Sequence, residues 1–100
     1  MVEKRALILN LKDNVASVME DVAPGDNVAV QGGKETRMLK AIEKIPFGFK
    51  MAATDIGRGE AVLKYGEVIG RASSDIKKGA LVHIHNIEGA RGRGDLQKGA

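Results

Sequence analysis

The sequence predicts an all-β domain of short strands and sharp corners, and three observations predict it. First, a short unit recurs. Asp21-Val22-Ala23-Pro24-Gly25-Asp26-Asn27-Val28 reads D-[IV]-x-x-G-x-x-V, and residues 55–62 (DIGRGEAV) and 75–82 (DIKKGALV) read the same way. A degenerate fourth copy, Ile45-Pro46-Phe47-Gly48-Phe49-Lys50-Met51, lacks the leading Asp. The unit is a turn: the Asp side chain accepts from nearby backbone amides, and Gly supplies positive φ at the exit. Pro24 and Pro46 sit where a turn wants φ fixed at about −65°. Second, the segments between these turns are short and apolar or alternating. Third, the chain is 100 residues long and 43% hydrophobic, enough for one domain with a modest core. The uneven spacing of the repeats excludes a solenoid.

The elements follow in order. Residues 5–11 form an apolar-rich opening strand. Residues 27–31 (NVAVQ) alternate and end at Gly32-Gly33, a hairpin signal, with a return strand over 36–40. Residues 50–53 and 61–63 are short strands, and 66–72 contain Val68 and Ile69. Residues 80–87 alternate, with Leu81, His83 and His85 on one face and Val82, Ile84 and Asn86 on the other. Helical alternatives stay open for 15–22 and for 37–45, where Met38, Ile42 and Ile45 fall at helical spacing. Residues 1–88 read as one domain, and 89–100 (GARGRGDLQKGA) as a Gly/Arg-rich tail or linker.

Composition excludes several functions. There is no cysteine, hence no disulfide, thiolate nucleophile or Cys-rich zinc site. Sixteen Lys/Arg are interleaved with 13 Asp/Glu, and Phe47, Phe49 and Tyr65 are the only aromatics. A nucleic-acid surface clusters its cations and adds stacking rings, so none is expected. No apolar run approaches the roughly 18 residues that span a bilayer, and no signal-peptide pattern follows the charged residues 1–5. The expected location is the cytoplasm, with no membrane partner.

Among the motifs, Gly33-Lys34 is not a phosphate loop, because Glu35 holds the Ser/Thr position. Gly92-x-Gly94 lacks the third glycine of a dinucleotide fingerprint. Arg93-Gly94-Asp95 reads as a chance tripeptide. His83-x-His85 holds the only histidines. On a strand they share a face with Cα atoms roughly 6–7 Å apart, a spacing that suits two ligands of one zinc, iron or manganese ion. A third ligand is not apparent nearby except Glu88. The competing reading is a wet strand face that carries histidine.

One resemblance draws these residues together. Residues 61–72 (AVLKYGEVIGRA), Asp75-Ile76-x-x-Gly79 and Val82-His83-Ile84-His85-Asn86 resemble the SAF domain of the altronate/galactarate dehydratase family. The likeness extends back through Ile45-Pro46-x-Gly48-x-Lys50 and Asp13-Asn14-Val15-Ala16. It implies a small β-clip fold with at most one or two helical turns. It also implies a part in a metal-dependent sugar-acid hydro-lyase that uses Fe2+ or Mn2+. The chain would be a small subunit, inactive alone, that docks on a large catalytic subunit and helps form or cover its active site. In that reading His83 and His85 are catalytic or metal-binding, and Lys50, Asn86 and Arg91 contact the sugar acid. For Lys50 and Arg91 the competing reading is solvated surface. Two departures stand out: the family commonly reads G-H-K where this chain has Gly48-Phe49-Lys50, and H-x-H-x-H-N where it begins with Leu81. The alternatives are a non-catalytic binding or assembly module and a small subunit of a sulfolactate lyase-like enzyme. Self-association into a homo-oligomer stays open.

Overall fold

The computed structural model describes residues 3–89. Within them are nine strands and no helix: β1 (Lys4–Ile8), β2 (Val15–Val18), β3 (Asn27–Gly32), β4 (Glu35–Lys40), β5 (Lys50–Ala52), β6 (Ala61–Lys64), β7 (Glu67–Ala72), β8 (Leu81–Val82) and β9 (Ile87–Gly89). The all-β expectation is met. Six strands form one sheet in the order β4-β3-β1-β2-β5-β8, and β6-β7-β9 form a second. The β1–β3 pair is parallel and the other pairs are antiparallel. Tail residues beyond Gly89, Arg91 among them, lie outside the described residues.

The repeated turns are clipped together in pairs. Val22 and Ile45 exchange backbone hydrogen bonds, as do Ile56 and Ile76. All four side chains are buried. The turn glycines Gly25, Gly48, Gly59 and Gly79 share φ values of 86–91°, a region that strains L-residues. In the second pair the leading carboxylates cross over. Asp55 Oδ1 accepts from the Lys78 N–H and Asp75 Oδ1 accepts from the Arg58 N–H, each at 2.9 Å. In the first pair Asp21 Oδ1 accepts from the Phe47 N–H at 2.9 Å. The reciprocal bond would need an N–H at position 24, and proline has none. Lys44 can therefore stand where the other copies carry Asp, which explains the degenerate repeat.

Two hydrophobic clusters fill the fold. Because side chains alternate along a strand, β2 and β5 form the wall between them. Ala16, Val18 and Met51 face the first cluster, and Val15 and Ala52 face the second.

Two open alternatives are closed and one expectation is corrected. Residues 15–22 are not helical: Val15–Val18 pairs with β1 and β5, and its β-branched residues suit that surface. Residues 37–45 are not helical either. Met38 and Ile42 are each 50% exposed while Ile45 is fully buried, so the three do not form a stripe. Last, residues 80–87 are not one strand. The β8 ladder stops at Val82, the chain turns through 83–86, and Ile87 starts β9 in the other sheet. His83 and His85 therefore do not share a strand face.

Candidate functional site

Asn86 makes the turn that carries the histidines. Its Oδ1 accepts from the His83 N–H at 2.9 Å, and its Nδ2 donates to the Leu81 carbonyl at 2.8 Å. Its own N–H donates to the His83 carbonyl, and its carbonyl accepts from the Ser73 N–H. A local side-chain acceptor of this kind competes with the strand ladder. Asn86 is 8% exposed. Asn86, expected as a substrate contact, is engaged within the chain at both ends of its amide. It holds His83, Ile84 and His85 in a fixed turn from which Ile84 and His85 project into solvent.

His83 is half-buried, its ring 4.6 Å from that of Phe49. Phe49 and Leu81 both pack against the first core cluster, and Leu81 pairs with Met51 across β5–β8. The two positions where the sequence departs from H-x-H-x-H-N and G-H-K are thus neighbours of one patch, filled here by apolar side chains. A closed or catalytic metal site needs at least three protein ligands. No group of three His, Cys, Asp or Glu capable of holding an ion exists among the described residues. The described residues do not by themselves fit the divalent metal that the resemblance implies; among them the turn offers His83 and His85, two ligands at most.

Lys50 pairs in register with Val82, next to His83 in the chain. Their side chains belong to different surroundings, since alternation sends Lys50 the same way as Ala52, away from the Phe49–His83 contact. Lys50 is half-buried, and its ammonium is held below the usual lysine range, first by burial and then by the nearby Lys64. Lys64 ends β6, its Nζ 5.0 Å from the centroid of the Tyr65 ring.

Tyr65 and Gly66 form the two-residue corner between β6 and β7, with φ of 58° and 76°. Positive φ at both positions marks a type I′ turn. The Asp13 carboxylate clamps it: Oδ2 accepts from the Tyr65 N–H at 2.9 Å and Oδ1 from the Gly66 N–H at 2.8 Å. Asn14 holds the strand beside it, accepting from the Leu63 N–H and donating to the Ala61 carbonyl. Sequence reasoning missed Asp13 and Lys64 as parts of this corner. The available signal was the joint presence of D-N-V-A and K-Y-G, about fifty residues apart, which the clamp now explains. A shallow groove with Leu11, Glu35 and Arg37 in its lining lies among β1, β3 and β4, at the opposite end of the strand order from β8.

Comparison with known proteins adds the following. The family profile of the altronate/galactarate dehydratase SAF domain matches residues 4–90. Altronate dehydratase of Escherichia coli K12 is 43% identical over 74 residues, which is 74% of this chain and 14% of that one. The (2R)-sulfolactate sulfo-lyase subunit alpha of Chromohalobacter salexigens is 34% identical over 76 residues, 74% of this chain and 81% of that one. Altronate dehydratase of Bacillus subtilis is 30% identical over 85 residues, 16% of its length. The chain thus spans about a seventh of the dehydratases it matches but most of the alpha subunit.

Proposed function

The chain belongs to the SAF-domain family of altronate and galactarate dehydratases, and on that premise we propose that it is a small, non-autonomous subunit of a sugar-acid hydro-lyase in the cytoplasm. It docks on a large catalytic chain and presents the 83–86 turn at the edge of that chain's active site. The observation that carries this reading is the pair of coverages. The same module makes up most of a protein named as a subunit, yet only a small part of a dehydratase whose remainder lies outside the match. A histidine turn that carries no complete metal-ligand set among the described residues supports it, because such a turn acts only beside a site that another chain supplies.

In this arrangement His83 and His85 serve the elimination by taking or giving a proton at the reacting carbon or the leaving hydroxyl. Imidazole suits that task because one ring nitrogen can donate a proton while the other accepts one. The Asn86 hydrogen bonds fix the backbone from which both rings project. The Fe2+ or Mn2+ of the complete enzyme, which would supply Lewis acidity, is assigned to ligands of the catalytic chain. Arg91 remains a candidate contact for the acid.

Two alternatives have an observation in their favour. Phe49 and Leu81 in place of family histidines favour an assembly module without catalytic groups. The 81% coverage of the sulfolactate enzyme's alpha subunit favours a sulfo acid as substrate of the complex. The test is affinity capture of the tagged chain from its host, followed by His83→Ala and His85→Ala in the captured complex. The proposal expects a co-purifying large chain and a fall in turnover of about 100-fold or more in at least one variant. Intact complexes with unchanged turnover in both variants would establish the assembly reading instead.

A further inference from the structure

We propose that β4 is the interface of a homodimer, pairing antiparallel with β4 of a second copy about a two-fold axis at Thr36. Three features of the strand carry the inference, and none depends on a catalytic partner.

The first is an open edge. Among the described residues β4 ends the six-stranded sheet, and of its six residues only Leu39 is buried. The Gly33-Lys34 corner is a two-residue loop with φ of 63° at Gly33, so Gly32 and Glu35 close it as a hydrogen-bonded pair. Such pairs alternate along an antiparallel ladder, so the backbone groups of Arg37 and Leu39 also turn towards β3. The Ala41 N–H donates to the Asp26 carbonyl, in step with that alternation. The N–H and C=O groups of Thr36 and Met38 therefore point off the edge, where a second strand can meet them.

The second is that this edge is blocked at its far end. The Ile42 N–H donates to the Gly79 carbonyl at 3.0 Å, and a Cβ on Gly79 would collide with the Lys40 carbonyl. The backbone at Gly79 thus occupies the edge from Lys40 onward.

The third is charge. The ion pairs among the described residues are Lys4–Asp26 and Arg5–Glu20, so neither Glu35 nor Arg37 has a partner there. Alternation puts both side chains on one face of β4, where they line the same groove. A two-fold axis that pairs strands antiparallel stands perpendicular to the sheet, so each position faces one of its own parity. Few registers remain. Centring on Met38, Leu39 or Lys40 drives the second strand into Gly79. Centring on Arg37 sets two guanidinium groups face to face, and centring on Glu35 sets two carboxylates so. Like charges directly opposite destabilise a ladder. Centring on Thr36 sets Glu35 opposite Arg37 of the second copy on both sides of the axis. It also lets the two Thr36 residues exchange N–H···O=C bonds. The aliphatic stem of Lys34 from the second copy then lies beside Met38, which is 50% exposed. Edge charges ordinarily discourage pairing; here their alternation admits one register. The interface is isologous and closed. It uses the end of the strand order opposite to β8, so the 83–86 turn stays free.

The test is sedimentation velocity of the full chain over a concentration series, with mixing of charge variants. The wild-type chain should pass from one to two chains per particle as concentration rises. Glu35→Arg and Arg37→Glu should each weaken self-association by at least about tenfold, because each sets like charges opposite one another. Mixed in equal amounts, these two variants should form a heterodimer, since every facing pair is then of opposite sign. The doubly exchanged chain E35R/R37E should regain wild-type association, which separates lost pairing from misfolding. A monomer at every concentration, a dimer indifferent to both single variants, or a loss that neither mixing nor E35R/R37E repairs would overturn the inference. The experiment needs no other protein, so its failure is distinct from a failure to capture a catalytic subunit.

Discussion

Asn86 carries more of the local architecture than either histidine beside it. Truncating it in Asn86→Ala removes an acceptor from the His83 N–H and a donor from the Leu81 carbonyl. The expected loss is about 1–3 kcal/mol in urea unfolding. Asn86→Asp keeps the acceptor and should lose less. Lys50 pulls the other way. Its folded-state proton affinity lies below the unfolded value, so the unfolded chain binds more protons between the folded pKa and the ordinary 10.5. The penalty is full below that window and fades as pH rises through it. Lys50→Met should therefore raise the melting temperature at pH 7, by a small amount because the side chain is partly screened by solvent. The gap between variant and wild type should narrow in melts taken towards pH 10.5. A constant gap would show that Lys50 acts by packing alone.

At the scale of elements, the paired turns explain both the repeat and its exception. Asp75→Ala removes the acceptor of the Arg58 N–H and should cost about 1 kcal/mol in chemical denaturation. Lys44→Asp, which restores the consensus, should gain nothing, since Pro24 offers no N–H to receive. Much of this level was legible in the sequence. The D-[IV]-x-x-G units mark the corners, and the Gly32-Gly33 signal marks the β3–β4 hairpin. What misled was periodicity without context. Residues 80–87 alternate faithfully, yet a single Asn side chain offered the backbone a better partner than the ladder. Met38, Ile42 and Ile45 are helically spaced, yet pairing of β4 with β3 along six registered positions decides the segment.

For the whole molecule, the parts hidden from the sequence are those made by distant contacts. Asp13 meets Tyr65 and Gly66, and the charge of Lys64 reaches Lys50 from the other sheet, neither of which spacing or composition announces. The histidines were legible as residues but not as a turn, and Phe49 beside His83 is a purely tertiary fact. The histidine turn presents Ile84 and His85 to solvent on a two-core domain that lacks a complete metal-ligand set among its described residues. The proposal above has this turn act at a site on another chain. The most direct measurement is the rate of sugar-acid dehydration by the large catalytic chain from the same host, assayed with and without this chain. The account predicts that turnover of altronate or galactarate rises by at least about 100-fold on adding the chain and saturates at a fixed stoichiometry. An identical rate in its absence, with the two chains demonstrably bound, would contradict it.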